Sequence, residues 1–351
     1  MVRVGIIGGS GYTGGELLRL LLSHPEVEIT QVTSREYVGE YVFRVHSNLR
    51  GVTNLQFDKP DLSKTINLCD LVFMSTPHGV SSKLTPKLLE AGLKVIDLSA
   101  DFRLKNPEDY PKWYGWNHPA PDTLKKAVYG VPELYREKIR DAQLVACPGC
   151  MAVVTILALA PVIKANLIDK DHIVVDVKIG SSGAGAKPSA STHHAERFGV
   201  VRPYKPTGHR HTAEIEQELS LIAGSNVKVS MSAHAVNIVR GILTTVHSFL
   251  VEKADTATIW KAFRSLYQGE PFIRLVRDRK GLYRLPDPKV VVGSNFCDLG
   301  FEIDNHTNRL VILGAIDNLI KGAAGIAVQN MNIMLRIDEK TGLNQPALHP
   351  I

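Results

Sequence analysis

The segment Cys147-Pro148-Gly149-Cys150 carries the most chemical content in this chain. A short apolar strand leads into the Pro-Gly turn and an apolar helix starts at Cys150, so the Cys150 sulfur is expected to face the free amides of a helix N-terminus. That setting lowers a thiol pKa from ~8.5 toward neutrality and favours the thiolate, the nucleophilic form. Cys150 is therefore the candidate nucleophile, whereas Cys69 and Cys297 read as buried structural thiols. A C-x-x-C also allows a redox disulfide or half of a zinc site. The missing second C-x-x-C weighs against zinc, while a Cys147–Cys150 disulfide formed on mild oxidation stays open.

A second cluster, His209-Arg210-His211, precedes Thr212-Ala213-Glu214-Ile215-Glu216. Thr212 reads as a helix N-cap, with Glu214 and Glu216 in the first turn. The positive end of the dipole favours a neutral imidazole, which can exchange protons, so His209 and His211 are acid/base candidates. The alternatives are a metal pair completed by His193, His194 and Glu196, or plain surface histidines; no metal is expected. His234, inside a strand pattern, reads as a core or cleft residue.

Gly9-Ser10-Gly11-Tyr12-Thr13-Gly14 fits G-x-G-x-x-G, and the spacing also reads as Gly8, Gly11 and Gly14. Between a strand and a helix, such a loop lets the backbone approach a pyrophosphate, so Gly8, Ser10, Gly11, Tyr12, Thr13 and Gly14 are candidate dinucleotide contacts. The second strand ends at Ser34-Arg35-Glu36. Arg35 suits a ribose 2′-phosphate and Ser34 can donate to it, while Glu36 suits the free 2′-hydroxyl; NADP is preferred over NAD.

The elements that must hold these groups follow from the hydrophobic pattern. Strands are predicted over 3–7, 27–33, 71–75, 94–99 and 143–146, with helices over 16–22 and 82–91 between them, giving parallel βαβ units. After a buried helix over 151–165 the pattern changes to strands over 173–179, 227–234, 242–251, 290–292 and 310–315, with helices over 212–222 and 256–266. The fold class is α/β: a Rossmann domain over 1–149 and an α+β catalytic domain over 150–316 with a mostly antiparallel or mixed sheet. A final helix over 319–335, within 317–351, returns to the first domain. Residues 105–121 and 279–289 read as long loops.

The 351 residues, 44% hydrophobic and 22% charged, fit a two-domain globular chain and exclude a disordered or fibrous one. No apolar run reaches the ~20 residues of a membrane span, and the N-terminus reads as a strand, so a cytoplasmic protein without membrane contact is expected. Four cysteines are too few for a disulfide scaffold. The net charge of +6 draws anionic partners. It also permits a non-catalytic regulatory or nucleic-acid-binding protein on a nucleotide fold, a reading that leaves Cys150 and the histidines unexplained; nucleic acid is not expected as a partner.

The sequence resembles the N-acetyl-gamma-glutamyl-phosphate reductase family over almost its full length. The resemblance rests on GGSGYTGGELLRLL from Gly8, TSRE from Thr33, STPHG from Ser75, DLSADFRL from Asp97, PGC from Pro148, GSSGAG from Gly180, GHRHTAEIEQEL from Gly208 and DNLIKGAAG from Asp317. It implies an NADP-binding Rossmann domain, a catalytic domain like that of aspartate-semialdehyde dehydrogenase, and reduction of a side-chain acyl phosphate to a semialdehyde. It makes Cys150 the nucleophile, offers His209 or His211 as acid/base, and adds Asn318 to the cofactor positions. On chemistry alone, Arg103, Ser181, Ser182 and Arg210 are candidates to hold the phosphate. The family commonly has asparagine before Pro-Gly-Cys and an aromatic after it, where this chain has Cys147 and Met151.

Residues 193–211 look closer to the branch of that family whose substrates, 2-aminoadipate or glutamate, ride on a small acidic carrier protein in lysine and arginine synthesis. Arg274, Arg277, Arg279, Lys280, Arg284 and Lys289, with Arg197, Arg202, Lys205 and Arg210, supply positive charge for such a partner. The alternative is action on the free acetylated substrate in arginine synthesis only. A homo-oligomer is expected.

Overall fold

Short buried strands alternating with helices build a six-stranded parallel sheet from β1 (Val2–Ile7), β2 (Val27–Thr33), β3 (Leu71–Met74), β4 (Lys94–Asp97), β5 (Val128–Tyr129) and β6 (Leu144–Ala146). The computed structural model describes residues 1–351. The strand order β2-β1-β3-β4-β6-β5 reverses between β1 and β3, the position at which open α/β sheets bind nucleotides beyond their strand ends. The second sheet has seven strands: β7 (Ile173–Ile179), β8 (Val201–Lys205), β9 (Val229–Val236), β10 (Ile242–Phe249), β11 (Ile273–Leu275), β12 (Cys297–Asp304) and β13 (Arg309–Ile316). Its order is β11-β12-β13-β10-β7-β9-β8, with β7–β9 and β11–β12 parallel and the other pairs antiparallel, so the sheet is mixed.

The chain divides into two compact units, Met1–Pro148 with Ala323–Gln345 and Gly149–Gly322 with Pro346–Ile351. In the first, the helix Gly325–Met334 packs on the helix Pro132–Arg140, and Asn330 Nδ2 donates to Gly130 O at 3.0 Å. In the second, β7, β9 and β10 alternate buried and half-exposed residues, the mark of a sheet covered on one face. The helix Cys150–Lys164 packs against β10 and β13 and is itself flanked by the helices His211–Ala223 and Thr256–Tyr267. From Met151 to Ile163 every residue of that helix is buried, so its N-terminal residue is held without freedom to slide.

Several expectations need correction. Residues 290–292 form no strand: Asp287 accepts the Lys289 N–H and Pro288 fixes the first position of a 3-10 turn over Pro288–Val290. β12 lies instead at Cys297–Asp304, where Gly300 and three acids conceal the strand pattern. The short β5, β8 and β11 were also not foreseen, and a helix at Asp109–Tyr114 interrupts the expected loop over 105–121. Thr212 is not an N-cap: the helix starts one residue earlier, at His211, with Arg210 as its cap. The final helix is split into a π-helical turn, Ile320–Ala324, and the helix Gly325–Met334.

Candidate active site

Of the four thiols, three are buried and only Cys150 is partly open, at the first position of its helix behind the Gly149 N-cap. Gly149 is glycine for a local reason. A methyl group at its Cα would lie 2.4 Å from His211 Nε2, so the imidazole rests directly on the residue before Cys150. Glu214, fully buried in the first turn of the His211–Ala223 helix, accepts the Gly149 N–H at 2.8 Å, and its other oxygen stands 3.9 Å from His211 Nε2. One carboxylate thereby holds the Gly149–Cys150 turn and faces the acid/base candidate.

His209 packs edge-on to His211 with ring centroids 4.7 Å apart, and its Nδ1 accepts the His211 backbone N–H at 3.1 Å. This bond places the proton of the neutral ring on Nε2. Burial, with the adjacent charges of Arg210 and Lys205, lowers the His209 pKa to about 4. Tyr204 stands edge-on to His209 at 6.2 Å and directs its hydroxyl to Met151 Sδ at 3.8 Å. Burial and then the nearby Cys150 charge push its phenol up to about 12, so it remains a proton donor at neutral pH. Tyr204 thus supplies an aromatic group at the first turn of the Cys150 helix from a distant strand. Tyr204 did not stand out in the sequence, and Glu214 did so only as a first-turn helix acid three residues after His211.

The remaining candidates divide. Arg103 is buried, donating from Nε to Cys147 O at 2.8 Å and from Nη2 to Leu98 O at 3.1 Å, so it braces the ends of β4 and β6. Ser182 and Asn318 join each other at 2.9 Å; Ser182 Oγ also donates to Val239 O and Asn318 Oδ1 accepts the Gly241 N–H. Both lie within the second unit, away from the glycine loop in sequence and committed to its turns. Ser181 is half-buried, its N–H held by Ile238 O, and Arg210 is exposed. His193 and His194 are exposed on and beside a one-turn helix, and no group of three or more ligating side chains converges for a metal. His234 Nδ1 lies 2.9 Å from Asp176 on the sheet. Cys147 is buried, and burial with the charge of Asp97 pushes its thiol up to about 12. None of the four cysteines is in a disulfide, and a thiol that keeps its proton is a poor partner for disulfide exchange.

The glycine loop fits a dinucleotide. Gly8 has φ +89°, and a methyl group there would meet Ser75 O at 2.3 Å, so β1 and β3 end in close backbone contact. Gly11 faces open space at the N-terminus of the helix Tyr12–Leu21, whose first amides are directed outward for an anion. Tyr12 is exposed, and Ser10 and Thr13 are half-buried. Ser34 is buried, donating to Ser10 Oγ and accepting the Glu36 and Tyr37 amides, so it shapes the turn that leaves Arg35 and Glu36 exposed. His46, unremarked in the sequence, pins the loop through Gly9 O at 2.8 Å.

Residues 3–142 match the family model described as semialdehyde dehydrogenase, NAD binding domain, and residues 150–318 match semialdehyde dehydrogenase, dimerisation domain. The chain is 59% identical to a putative [LysW]-L-2-aminoadipate/[LysW]-L-glutamate phosphate reductase of Cenarchaeum symbiosum over 350 residues, covering 100% of both. It is 51% identical to the [LysW]-L-2-aminoadipate/[LysW]-L-glutamate phosphate reductase of Saccharolobus solfataricus, over 99% of each chain. Among solved structures, aspartate semialdehyde dehydrogenase II of Vibrio cholerae superposes with a TM-score of 0.71 at 20% identity, covering 96% of this chain and 98% of that one. The enzyme of Candida albicans with NADP gives 0.70 at 16%, covering 95% and 98%. With both family models matched in order along a single chain, and full-length relatives above half identity, the protein belongs to the semialdehyde dehydrogenase family.

Proposed function

We propose that this protein is an NADPH-dependent reductase of a carrier-linked acyl phosphate, 2-aminoadipyl or glutamyl, yielding the semialdehyde through a thioester on Cys150. The observation that carries the reading is the pairing of the one open thiol with an imidazole seated on the preceding glycine. A helix N-terminus favours an anionic sulfur. His211 Nε2 takes the Cys150 proton as the sulfur attacks the acyl carbon. The C–S bond forms, the bond from carbon to phosphate oxygen breaks, and phosphate leaves with the electron pair. NADPH, when bound, supplies the hydride that reduces the thioester. Cys150 then leaves as the carbonyl reforms, and His211 returns the proton to sulfur. The Cys150 amide and its neighbours in the first turn are available to the oxyanion. Ser181 and Arg210 are the remaining candidates to receive the phosphate.

The carrier and the nucleotide preference are part of the proposal. The relatives' names specify a [LysW]-linked substrate. Exposed Lys187, Lys205 and Arg210 lie along the segment leading into the helix His211–Ala223, a charge suited to an acidic carrier. Arg274 and Arg284 contribute less, being paired with Asp298 and Glu302, and Arg197 is spent on Ile179 O and Val236 O. Arg35 supports NADPH. The dimerisation-domain description and the half-exposed face of the second sheet support pairing of two copies. No helix is long and apolar enough to cross a membrane, and a cytoplasmic enzyme fits this chemistry.

The test compares wild type and Cys150→Ser on carrier-linked aminoadipyl and glutamyl phosphates and on free N-acetylglutamyl phosphate. The expected result is turnover of the carrier-linked compounds by wild type only, with NADPH binding retained in the variant. Near-normal turnover by Cys150→Ser overturns covalent catalysis, and a strong preference for the free compound moves the assignment to the arginine-only reductase.

A further inference from the structure

We infer that Gly322 and Asp317 are positioning residues for the Cys150 nucleophile, acting through the π-helical turn that separates β13 from the last helix. The inference rests on Cys150 being that nucleophile and adds the device that fixes its Cα–Cβ direction from behind.

The turn Ile320–Ala324 carries the five-residue bond that defines a π-turn, from the Gly322 N–H to Asp317 O at 3.0 Å. Its geometry brings Gly322 flat against Cys150. A methyl group on Gly322 would lie 2.8 Å from Cys150 Cβ and 3.3 Å from Cys150 Cα, with Asp317 O next at 3.4 Å. Its φ lies outside the positive region, so alanine is conformationally acceptable there and only the space is lacking. Alanine is also the better helix former. The glycine therefore works against local propensity, and the two atoms nearest its missing Cβ belong to the nucleophile.

Asp317 sets the turn. Its Oδ1 accepts the Leu319 and Ile320 N–H groups at 2.8 and 3.3 Å. Its Oδ2 accepts the Gly293 N–H at 2.8 Å and lies 3.3 Å from Arg240 Nη1. The carboxylate is fully buried, so these contacts determine where residues 319–322 run. Across the same turn, Asn318 ties Gly241 to Ser182. Cys150 is thus held from two sides, by Glu214 through Gly149 and by Asp317 through Gly322.

The test measures alkylation of Cys150 by iodoacetamide as a function of pH, with kcat, KM and thermal melting, in wild type, Gly322→Ala and Asp317→Asn. A displaced nucleophile loses rate steeply, with about 1 Å costing on the order of 100-fold. The expected result for Gly322→Ala is a kcat lower by about 10- to 100-fold, KM values within about twofold, a changed pH profile of alkylation and a still cooperative melt at a lowered temperature that leaves the protein folded at the assay temperature; Asp317→Asn moves the same way. Wild-type alkylation and kcat in both variants overturn the inference. So does loss of activity that only tracks loss of folded protein. If Gly322→Ala does not fold, Asp317→Asn decides alone. Failure of wild-type Cys150 to label selectively counts instead against the proposed function.

Discussion

The buried carboxylate of Glu214 accepts the Gly149 N–H at 2.8 Å while its second oxygen faces His211 Nε2 at 3.9 Å. Two residues 65 positions apart in the chain therefore share one device: the carboxylate that faces the imidazole also fixes the turn presenting the thiol. In Glu214→Gln an amide replaces one of these oxygens and the negative charge is lost. We expect kcat to fall by about 10- to 100-fold with NADPH affinity unchanged, measured by steady-state kinetics and cofactor titration. Equal kcat would mean that the hydrogen bond is structural only.

His211 and His209 separate in role. The His211 ring touches Gly149, whereas His209 touches the thiol's surroundings through His211 and Tyr204. His211→Asn is expected to lose about 10²–10⁴-fold in kcat, the range of a positioned acid/base. His209→Asn should lose about tenfold. The reverse ranking, in the same assay, would assign the proton to His209.

Acid stability follows from His209. Its folded pKa of about 4 is below the ordinary 6.5, so the unfolded chain binds this proton first as pH falls. The native state therefore loses stability progressively from about pH 6.5 down to about pH 4, by up to ~3 kcal/mol if the whole shift is expressed. We expect His209→Asn to flatten the dependence of urea midpoint on pH within that window. An unchanged slope would show that the ring is protonated without penalty.

Cofactor choice rests on Arg35, exposed at the end of β2 beside an exposed Glu36. Arg35→Ala should raise KM for NADPH about tenfold or more while KM for NADH changes little. Equal effects on both would remove Arg35 from 2′-phosphate recognition.

Thiol reactivity should be confined to one site. Cys147 is held protonated by burial and the charge of Asp97, and Cys69 and Cys297 are buried. Iodoacetamide at pH 7.5 is expected to label one cysteine per native chain, Cys150, read by peptide mass spectrometry. Labelling of Cys147 at a similar rate would restore its part in a redox pair.

The glycine loop, the candidate nucleophile and the candidate histidine pair stood out in the chain because each is local. A glycine turn, a helix start and a short motif are fixed by backbone propensity within a few residues, so Gly8 to Gly14, Cys150 and His209 to His211 stood out by type and spacing. The alternation of strands and helices likewise announced the parallel sheet. What the chain alone left open depends on residues far apart in sequence. Glu214 acquires its role only when the helix starting at His211 packs beside the one starting at Cys150. Arg103 reads, on chemistry alone, as a candidate to hold the phosphate; its burial as a brace comes only once β4 and β6 become neighbours. β12 was concealed because its acids are satisfied by partners elsewhere, Asp298 by Arg274 and Glu302 by Arg284. Local composition determined which groups can do chemistry, and long-range packing decided which of them are aimed, shielded or spent, because burial and pairing are properties of the folded neighbourhood.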